Sequence, residues 1–435
     1  MAFLGMRGTG DWATDQREYN WDNALLRIYP NGTAPLTAIL GLAKSERTTD
    51  PQFHWWTKTL PSQAGAVTGV YTDVLLSSAY VSGGVAGDTL FVKMAAALAG
   101  EIRIGHLVRL MDESDLTMTV IGKVTARQVN GTSSYISVVL LEADNNSSSH
   151  DLSDCDRLMV VGNVNSEGAA MPEAVTYNPE KWYNYTQIFR TSLEITRTAK
   201  LTTLRTGDAY KEMKREALEL HGLEREKNYL FGIPSEGIGS NGKPERTTLG
   251  LIPAIVGGQT GQASGHAGTV KDFTTDTSFS GQSWLQGGED FLDTYLEQMF
   301  RYGDPEKMAL CGNLAVQGIN KLVKSGGDYS FTPMTAEYGI NVTRWKTPFG
   351  SIYLKTHPLF NYEAAMRRSM VIFEPRNISR AYITQTTFYP DAEQKNTGYT
   401  RRDGIKEEFL TEDGLKYHGI HGWGYLTGIG SDSAV

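Results

Sequence analysis

The chain has 435 residues, 40% of them hydrophobic and 21% charged, so it can bury sizeable cores in two to four domains of roughly 150 residues each. Lys and Arg number 41 against 49 Asp and Glu, and this net charge of −8, without a long basic run, argues against nucleic-acid binding as the main function. Cys155 and Cys311 are the only cysteines, which excludes a disulfide framework and a Cys-rich zinc site. No signal-peptide pattern or long apolar run is present, so no association with a membrane is expected.

Residues 1–50 are predicted to form an arm rather than a domain. Two short apolar pieces are separated by Pro and Gly, and no periodic segment is long enough to make a core of its own. We therefore expect the arm to need neighbouring chains to cover its apolar side chains.

Two aromatic segments alternate with a period of two, which is typical of strands with two different faces. The first is "PQFHWWTKTL" at 51–60, and the second is "EKWYNYTQIFRTSLEIT" at 180–196. Strands of this kind can pair antiparallel, so we predict a long hairpin with arms at about 51–60 and 181–195. Its aromatic residues of interest are Phe53, Trp55, Trp56, Trp182, Tyr183 and Tyr185.

A separate module is predicted between these arms, at about 86–165. Five short β-rich runs are punctuated there by Gly, Asn, Asp and Ser, which favours a small β-barrel or sandwich. The pair Asn130-Gly131 is a good hairpin turn, because both residues tolerate positive φ.

The strongest helical pattern runs from Thr206 to Ile233, with Thr206 or Asp208 as N-cap and Gly232 at its end. Its predicted apolar stripe is Ala209, Met213, Ala217, Leu220, Leu223 and Leu230. A second amphipathic helix is expected near 284–301. The segments that follow predict a buried strand, a helix, a hairpin that turns at 348–350 and another buried strand, after which the alternating tail pairs with an earlier strand.

No catalytic, cofactor or metal site emerges from the sequence. It contains no HExxH, P-loop or nucleophile-elbow motif, and the Gly-rich stretch at 257–268 is interpreted as a surface loop. His418 and His421 form the one close His pair, in a Gly-rich context that favours ordinary strand or turn histidines. Adjacent acids such as Glu407-Glu408 and Glu412-Asp413 would point to opposite faces of a strand and so could not flank one bond.

The order of these parts resembles the major capsid protein of tailed bacteriophages, the Hong-Kong-97-type fold. The stretch "RIYPNGTAPLTAILGLAKSERTTDPQFHWWTKTL" is similar to the N-terminal signature of one branch of that family. "TSLEITRTAK", followed by the charged helix to "EREKNYLFGI", resembles the approach to the family's spine helix, and "KEEFLTEDGLKYHGIHGWGYL" resembles its closing peripheral strand.

The resemblance implies an α+β fold with an inserted small β-barrel or sandwich in the extended loop. Its expected parts are an N-terminal arm (1–50), an extended loop (51–195) with the insertion (86–165), the spine helix and peripheral domain (196–305, including the helix near 284–301), an axial domain (306–385) and a return to the peripheral domain (386–435).

The implied function is self-assembly, as hexamers and pentamers, into the icosahedral shell that encloses a double-stranded DNA genome without sequence-specific binding. The protein would belong to the virion capsid and assemble in the host bacterial cytoplasm. A scaffold, a portal and decoration proteins are implied partners, and no cofactor is implied. The six aromatic residues named above are the candidates for subunit contacts. Phe53, Trp55 and Trp56 would lie on a strand that leaves its own subunit, with one face against the returning arm and the other against a neighbouring subunit. Trp55→Ala or Trp56→Ala would then lower particle yield more than solubility.

Other functions remain open from the sequence alone. A tail-tube or tail-tip subunit would also be rich in β-structure but would not need one long helix. A carbohydrate-active enzyme could use Glu407 or Glu412 with the tryptophans, and a cell-surface binding module would need a secretion signal.

Overall fold

A computed structural model describes residues 36, 44–58, 63–115, 118–144, 151–168, 171–172, 174, 176–202, 208–257, 267–326, 331–335, 341–391 and 404–433. The chain divides into two compact units, which we call the barrel unit (Lys58–Glu180) and the main unit (Met1–Thr57 with Lys181–Val435). Most of the predicted arm and of the Gly-rich stretch at 257–268 lies outside the described residues.

The described part of the chain mixes strands and helices, as predicted. The strands are β1 (Ser45–Arg47), β2 (Gln52–Thr57), β3 (Ala64–Tyr71), β4 (Thr89–Met94), β5 (His106–Met111), β6 (Thr119–Gln128), β7 (Tyr135–Leu140), β8 (Arg157–Asn163), β9 (Glu180–Tyr185), β10 (Gln187–Thr196), β11 (Ser235–Ile238), β12 (Pro244–Thr247), β13 (Thr269–Asp272), β14 (Glu306–Cys311), β15 (Phe331–Thr335), β16 (Asn341–Lys346), β17 (Ser351–Thr356), β18 (Met370–Phe373), β19 (Ile378–Tyr389), β20 (Gly404–Tyr417) and β21 (Gly424–Thr427). The helices are α1 (Ala96–Glu101), α2 (Arg197–Leu201), α3 (Ala209–Phe231), α4 (Leu251–Val256), α5 (Trp284–Phe300), α6 (Asn313–Gly326) and α7 (Pro358–Tyr362).

The barrel unit is a closed six-stranded barrel in the order β3-β4-β7-β6-β5-β8. Inward-facing Val, Ile and Leu side chains fill it, and many of them are completely buried, as alternation on a barrel strand requires. The β6–β7 hairpin turns at Asn130-Gly131, where Gly131 has φ +50°. The five predicted strands are all present. The sixth, β3, was missed because "AGAVTGVY" carries too few large apolar side chains to resemble a strand.

The main unit contains two larger sheets. The four-stranded sheet has the order β1-β19-β20-β10, and the seven-stranded sheet has the order β13-β21-β18-β14-β17-β16-β15. The predicted hairpin is β16–β17, closed by Thr347 and Gly350, and the predicted tail strand β20 pairs with both β10 and β19. Helix α5 packs into the core of the seven-stranded sheet through Phe291, Leu296 and Met299.

The predicted long hairpin is correct only for its first half. β2 pairs with β9 in a two-stranded ribbon, whereas β10 pairs along its whole length with β20. The buried positions change phase at Thr186, because Trp182 and Asn184 are buried before it and Phe189 is buried after it. A single continuous strand cannot bury both even and odd positions on one face, so the chain passes from one sheet to the other at this residue.

The long helix α3 begins and ends close to the prediction, with Asp208 as N-cap and Gly232 as C-cap. Its buried face differs, because Leu220 is 49% exposed while three polar residues are buried. His221 contacts Thr191 and Thr411, the Arg225 guanidinium pairs with Asp413 at 2.8 Å, and Glu226 contacts the His357 ring at 2.8 Å. The sequence pattern missed this face, since charged residues on a helix are usually exposed.

We expect acid to weaken the subunit through His221. The pKa of His221 is lowered from 6.5 to about 4, mainly by burial and to a smaller extent by the nearby Arg225 cation. The unfolded chain therefore binds a proton between these pH values that the folded chain does not, so the free energy of unfolding should fall as pH decreases from 6.5 to 4, by at most about 1.4 kcal/mol per pH unit. Denaturant titrations at several pH values should show this loss, and His221→Gln should remove that part of it. Parallel pH curves for the two proteins would contradict the assignment.

A second prediction concerns the buried ion pair between Lys307 and Glu374, whose side chains are 0% and 3% exposed. Lys307→Met leaves the Glu374 carboxylate buried without its cation, which typically costs about 3–5 kcal/mol. Denaturant unfolding of the subunit should report this loss, and adding Glu374→Gln should restore most of it, because the amide oxygen can still accept the Asp304 N–H. Unchanged stability in the single variant would refute the role of the pair.

Candidate assembly surfaces

The β2–β9 ribbon has one buried and one exposed face. Phe53, Trp55 and Trp182 are each about 5–6% exposed and belong to the core of the main unit. The Trp55 ring stacks between its neighbours, with centroids 6.2 Å from Phe53 and 6.5 Å from Trp182. The sequence alternation therefore predicted two faces correctly.

Hydrogen bonds hold the buried face of the ribbon against β20. The Trp55 indole N–H donates to the Tyr417 carbonyl oxygen at 2.9 Å, and the Asn184 side-chain amide donates to the Leu415 carbonyl oxygen at 2.8 Å. Close approach is possible because position 414 is Gly. A Cβ there would lie 2.5 Å from the Tyr185 carbonyl oxygen, which is too close for any other residue.

These contacts correct part of the sequence-based prediction. Phe53, Trp55 and Trp182 were expected to be candidates for contacts between subunits, with Phe53 and Trp55 on a strand that leaves its own subunit. Instead they are covered by this chain's own core. The reason is that β20, more than 200 residues further along the chain from Trp182, supplies the surface they bury, and local alternation cannot reveal such a distant partner.

The opposite side of the ribbon forms what we call the exposed aromatic face, made of His54, Trp56, Tyr183 and Tyr185. Trp56 is 60% exposed, His54 is exposed and the two tyrosines are half-buried. Two ring contacts lie on this face, with centroids 6.3 Å apart for His54 and Tyr183 and 5.7 Å apart for the two tyrosines. Three of the six predicted residues, together with His54, are thus brought together on an accessible face.

The described part of the arm is anchored to its own subunit. Leu36 is completely buried in the main-unit core, and its backbone N–H donates to the Glu226 carboxylate at 2.7 Å. On β1, a hydrogen bond from Lys416, assisted by Lys44, lowers the pKa of Glu46 to about 2. The expectation that the arm depends on neighbouring chains is therefore wrong for these residues.

The carboxylates considered for glycoside chemistry have separate structural partners. Glu407 accepts a hydrogen bond from Tyr210, which raises the pKa of that phenol to about 12. Glu412 accepts from Thr186, and Glu408 is paired with Arg190. Each of these three acids has its own partner, so the contacts do not pair any two of them across a glycosidic bond.

Other chemistry is equally dispersed in the described residues. Burial raises the pKa of Cys155 to about 12 and raises that of Cys311 as well, so neither thiol is set up as a nucleophile. The two neighbouring histidines have separate contacts, since His418 lies against Trp55 and His421 against Tyr302. Within these residues no cluster of three or more metal-ligating side chains forms, and no helix combines the length and apolarity that a bilayer span requires.

Comparison with known proteins agrees with an assembly subunit. The family model described as SU10 major capsid protein matches residues 8–430. The major capsid protein of Pseudomonas phage PaMx41 is 23% identical over 364 residues, which cover 82% of this chain and 77% of that protein.

Solved capsid structures share only a distant likeness. The capsid asymmetric unit of cyanophage A-1(L) is 10% identical with a TM-score of 0.40, covering 62% of this chain and 85% of that chain. The mature capsid of bacteriophage PhiM1 is also 10% identical, with a TM-score of 0.38, and covers 62% of this chain and 79% of that chain.

The family match spans almost the whole sequence, both units included. The chain belongs to the SU10 major capsid protein family: it is a structural protein of the virion rather than an enzyme, and it forms the icosahedral shell of a tailed phage.

Proposed function

We propose that the main unit has the Hong-Kong-97-type fold and that the barrel unit is an insertion in its extended loop. In this proposal α3 is the spine helix, the four-stranded sheet forms the peripheral domain with it, and the seven-stranded sheet forms the axial domain. The order of these parts along the chain supports the assignment. The extended loop would leave after β2 and return in β9, because these strands are paired neighbours and the barrel unit lies between them in sequence.

The exposed aromatic face is proposed to be a contact between subunits of the shell. Aromatic side chains are enriched at protein interfaces, and burying apolar area contributes about 25 cal/mol per Å². Trp56 carries the argument, since it is a large side chain left 60% exposed on a ribbon whose other face is fixed by the core. A ribbon fixed in this way is ordered before it meets its partner, so little conformational entropy is lost on contact.

The remaining partners follow from the same proposal. Copies of the chain would form the hexamers and pentamers of the shell, and a scaffold, a portal and decoration proteins would act with them. The net charge of −8 per chain is compatible with enclosing double-stranded DNA without gripping it, because a tightly binding shell would need basic surface.

Substitution of the two adjacent tryptophans should separate folding from assembly. Trp56→Ala removes an exposed side chain, so the free energy of unfolding of the subunit should change by no more than about 0.5 kcal/mol, while the yield of shells falls. Trp55→Ala opens the core and should cost about 3–5 kcal/mol in the subunit itself. Denaturant unfolding and sedimentation of shells measure the two effects.

An exposed apolar residue outside the ribbon provides a control for Trp56→Ala. Leu285 lies on α5 and is 59% exposed, so Leu285→Ala removes an exposed apolar side chain away from the ribbon. The proposal is contradicted if Trp56→Ala gives the same shell yield as this control.

Removing the insertion should leave the main unit folded. The barrel unit has its own closed sheet and core, and the paired strands β2 and β9 offer two neighbouring ends that a short Gly-Ser linker can join. A chain with residues 58–180 replaced in this way should keep a cooperative unfolding transition and the near-ultraviolet circular dichroism of its buried tryptophans. A molten product without that signal would show that the two units do not fold independently.

A further inference from the structure

The barrel unit presents an apolar loop tip that the sequence analysis did not single out. Residues 72–79 connect β3 back to a bridge between Tyr71 and Ala79, and the tip reads Val74-Leu75-Leu76. Val74 is 54% exposed and Leu75 is 82% exposed. Val81 and Val85, in the segment that follows, are also largely exposed, at 76% and 57%.

This loop tip is held in one conformation by Asp73. Its carboxylate accepts hydrogen bonds from the Ser77 hydroxyl at 2.6 Å, the Ser77 backbone N–H at 3.0 Å and the Ser78 backbone N–H at 2.7 Å. These bonds, that of the Ser77 hydroxyl above all, lower the pKa of Asp73. Both carboxylate oxygens thus have partners within the loop, and the lowered pKa keeps Asp73 ionised at neutral pH, so the loop carries one negative charge beside its apolar tip.

The segment after the loop is fixed as well. Tyr80 is buried, and its hydroxyl donates to the Asp144 carboxylate at 2.7 Å while accepting the Gly84 N–H at 2.7 Å. The Val85 N–H donates to the Asp88 carboxylate at 2.8 Å. The exposed valines therefore stand on a backbone with specific internal partners rather than on a loose connection.

Leu76 adds backbone strain to this arrangement. Its φ is +56°, in the left-handed region that a Leu side chain disfavours. The strained leucine and the two exposed aliphatic side chains beside it lower the stability of the isolated subunit, although the Asp73 hydrogen bonds hold the loop in this shape. Such outliers persist where the local shape is needed for function.

We infer that the Val74–Leu76 tip is a contact point for a second copy of this chain in the shell. The exposed side chains at the tip are apolar, which fits a protein surface, and the negative charge of the neighbouring Asp73 disfavours nucleic acid or an anionic membrane. A second copy offers surface of the same kind, because the main unit exposes Ile188, Leu201 and Ile238 at 57%, 73% and 84%. A pre-ordered loop loses little conformational entropy when it is covered.

The inference rests on assembly into a shell, but it does not depend on the exposed aromatic face. Photo-crosslinking tests it in intact particles, with p-benzoylphenylalanine placed at Leu75 and, as a matched position in the same unit, at Val129, which is 52% exposed. The expected result is a product of twice the subunit mass from position 75, whose peptides come from two copies, with much less from position 129. Crosslinks only to a different protein, equal yields from both positions, or no dimer from position 75 would overturn it.

A loss-of-function variant gives an independent readout. Leu75→Ser should reduce the yield of shells while leaving the melting temperature of the free subunit unchanged, since the side chain is 82% exposed. Val129→Ser should change neither quantity, and shell yields that are equal for the two variants would also overturn the inference. Placing the same crosslinker at Trp56 tests the exposed aromatic face separately from the loop tip. A crosslinked dimer from either position supports only the proposal for that position.

Discussion

The burial of Trp55 is the contact on which the arrangement of the main unit depends. Its ring packs on Trp182 and its indole N–H donates to the Tyr417 carbonyl oxygen. One side chain therefore joins the strand before the barrel unit, the strand after it and β20, which lies near the C-terminus. Because these segments are far apart in sequence, they come together only in the folded subunit. The ribbon that carries the exposed aromatic face is consequently fixed before any other copy arrives.

A second set of contacts gives the long helix its place. The buried side of α3 carries His221, Arg225 and Glu226, each with a specific partner on another element, where an ordinary helix would bury leucines. Removing any one partner of a buried pair is costly, so such contacts permit few alternative positions of the helix. The backbone N–H of Leu36 donates to the Glu226 carboxylate, which also contacts His357. Glu226 on α3 therefore connects the arm to the segment that carries His357.

The sequence was informative wherever local patterning decides structure. β-rich runs between turn residues located five of the six barrel strands, alternation predicted both faces of the aromatic ribbon, and caps located α3 at Asp208 and Gly232. Sequence patterns failed where contacts between residues far apart in the chain determine the structure. The change of phase at Thr186 moves β10 to another sheet, and the burial of Arg225 needs Asp413, almost 190 residues away. Half of the predicted assembly residues proved to be core for the same reason, since the strand that covers them lies near the C-terminus.

The central claim is that one face of the ribbon builds the subunit and the other builds the shell. A density map of assembled particles at side-chain resolution tests it most directly. The account predicts that Trp56 and Tyr183 lie against another copy of the chain, while Trp55 keeps its contact with Tyr417 of the same copy. A map in which Trp56 faces solvent in every subunit of the shell, or in which Trp55 has left its own core to enter a neighbour, would contradict it.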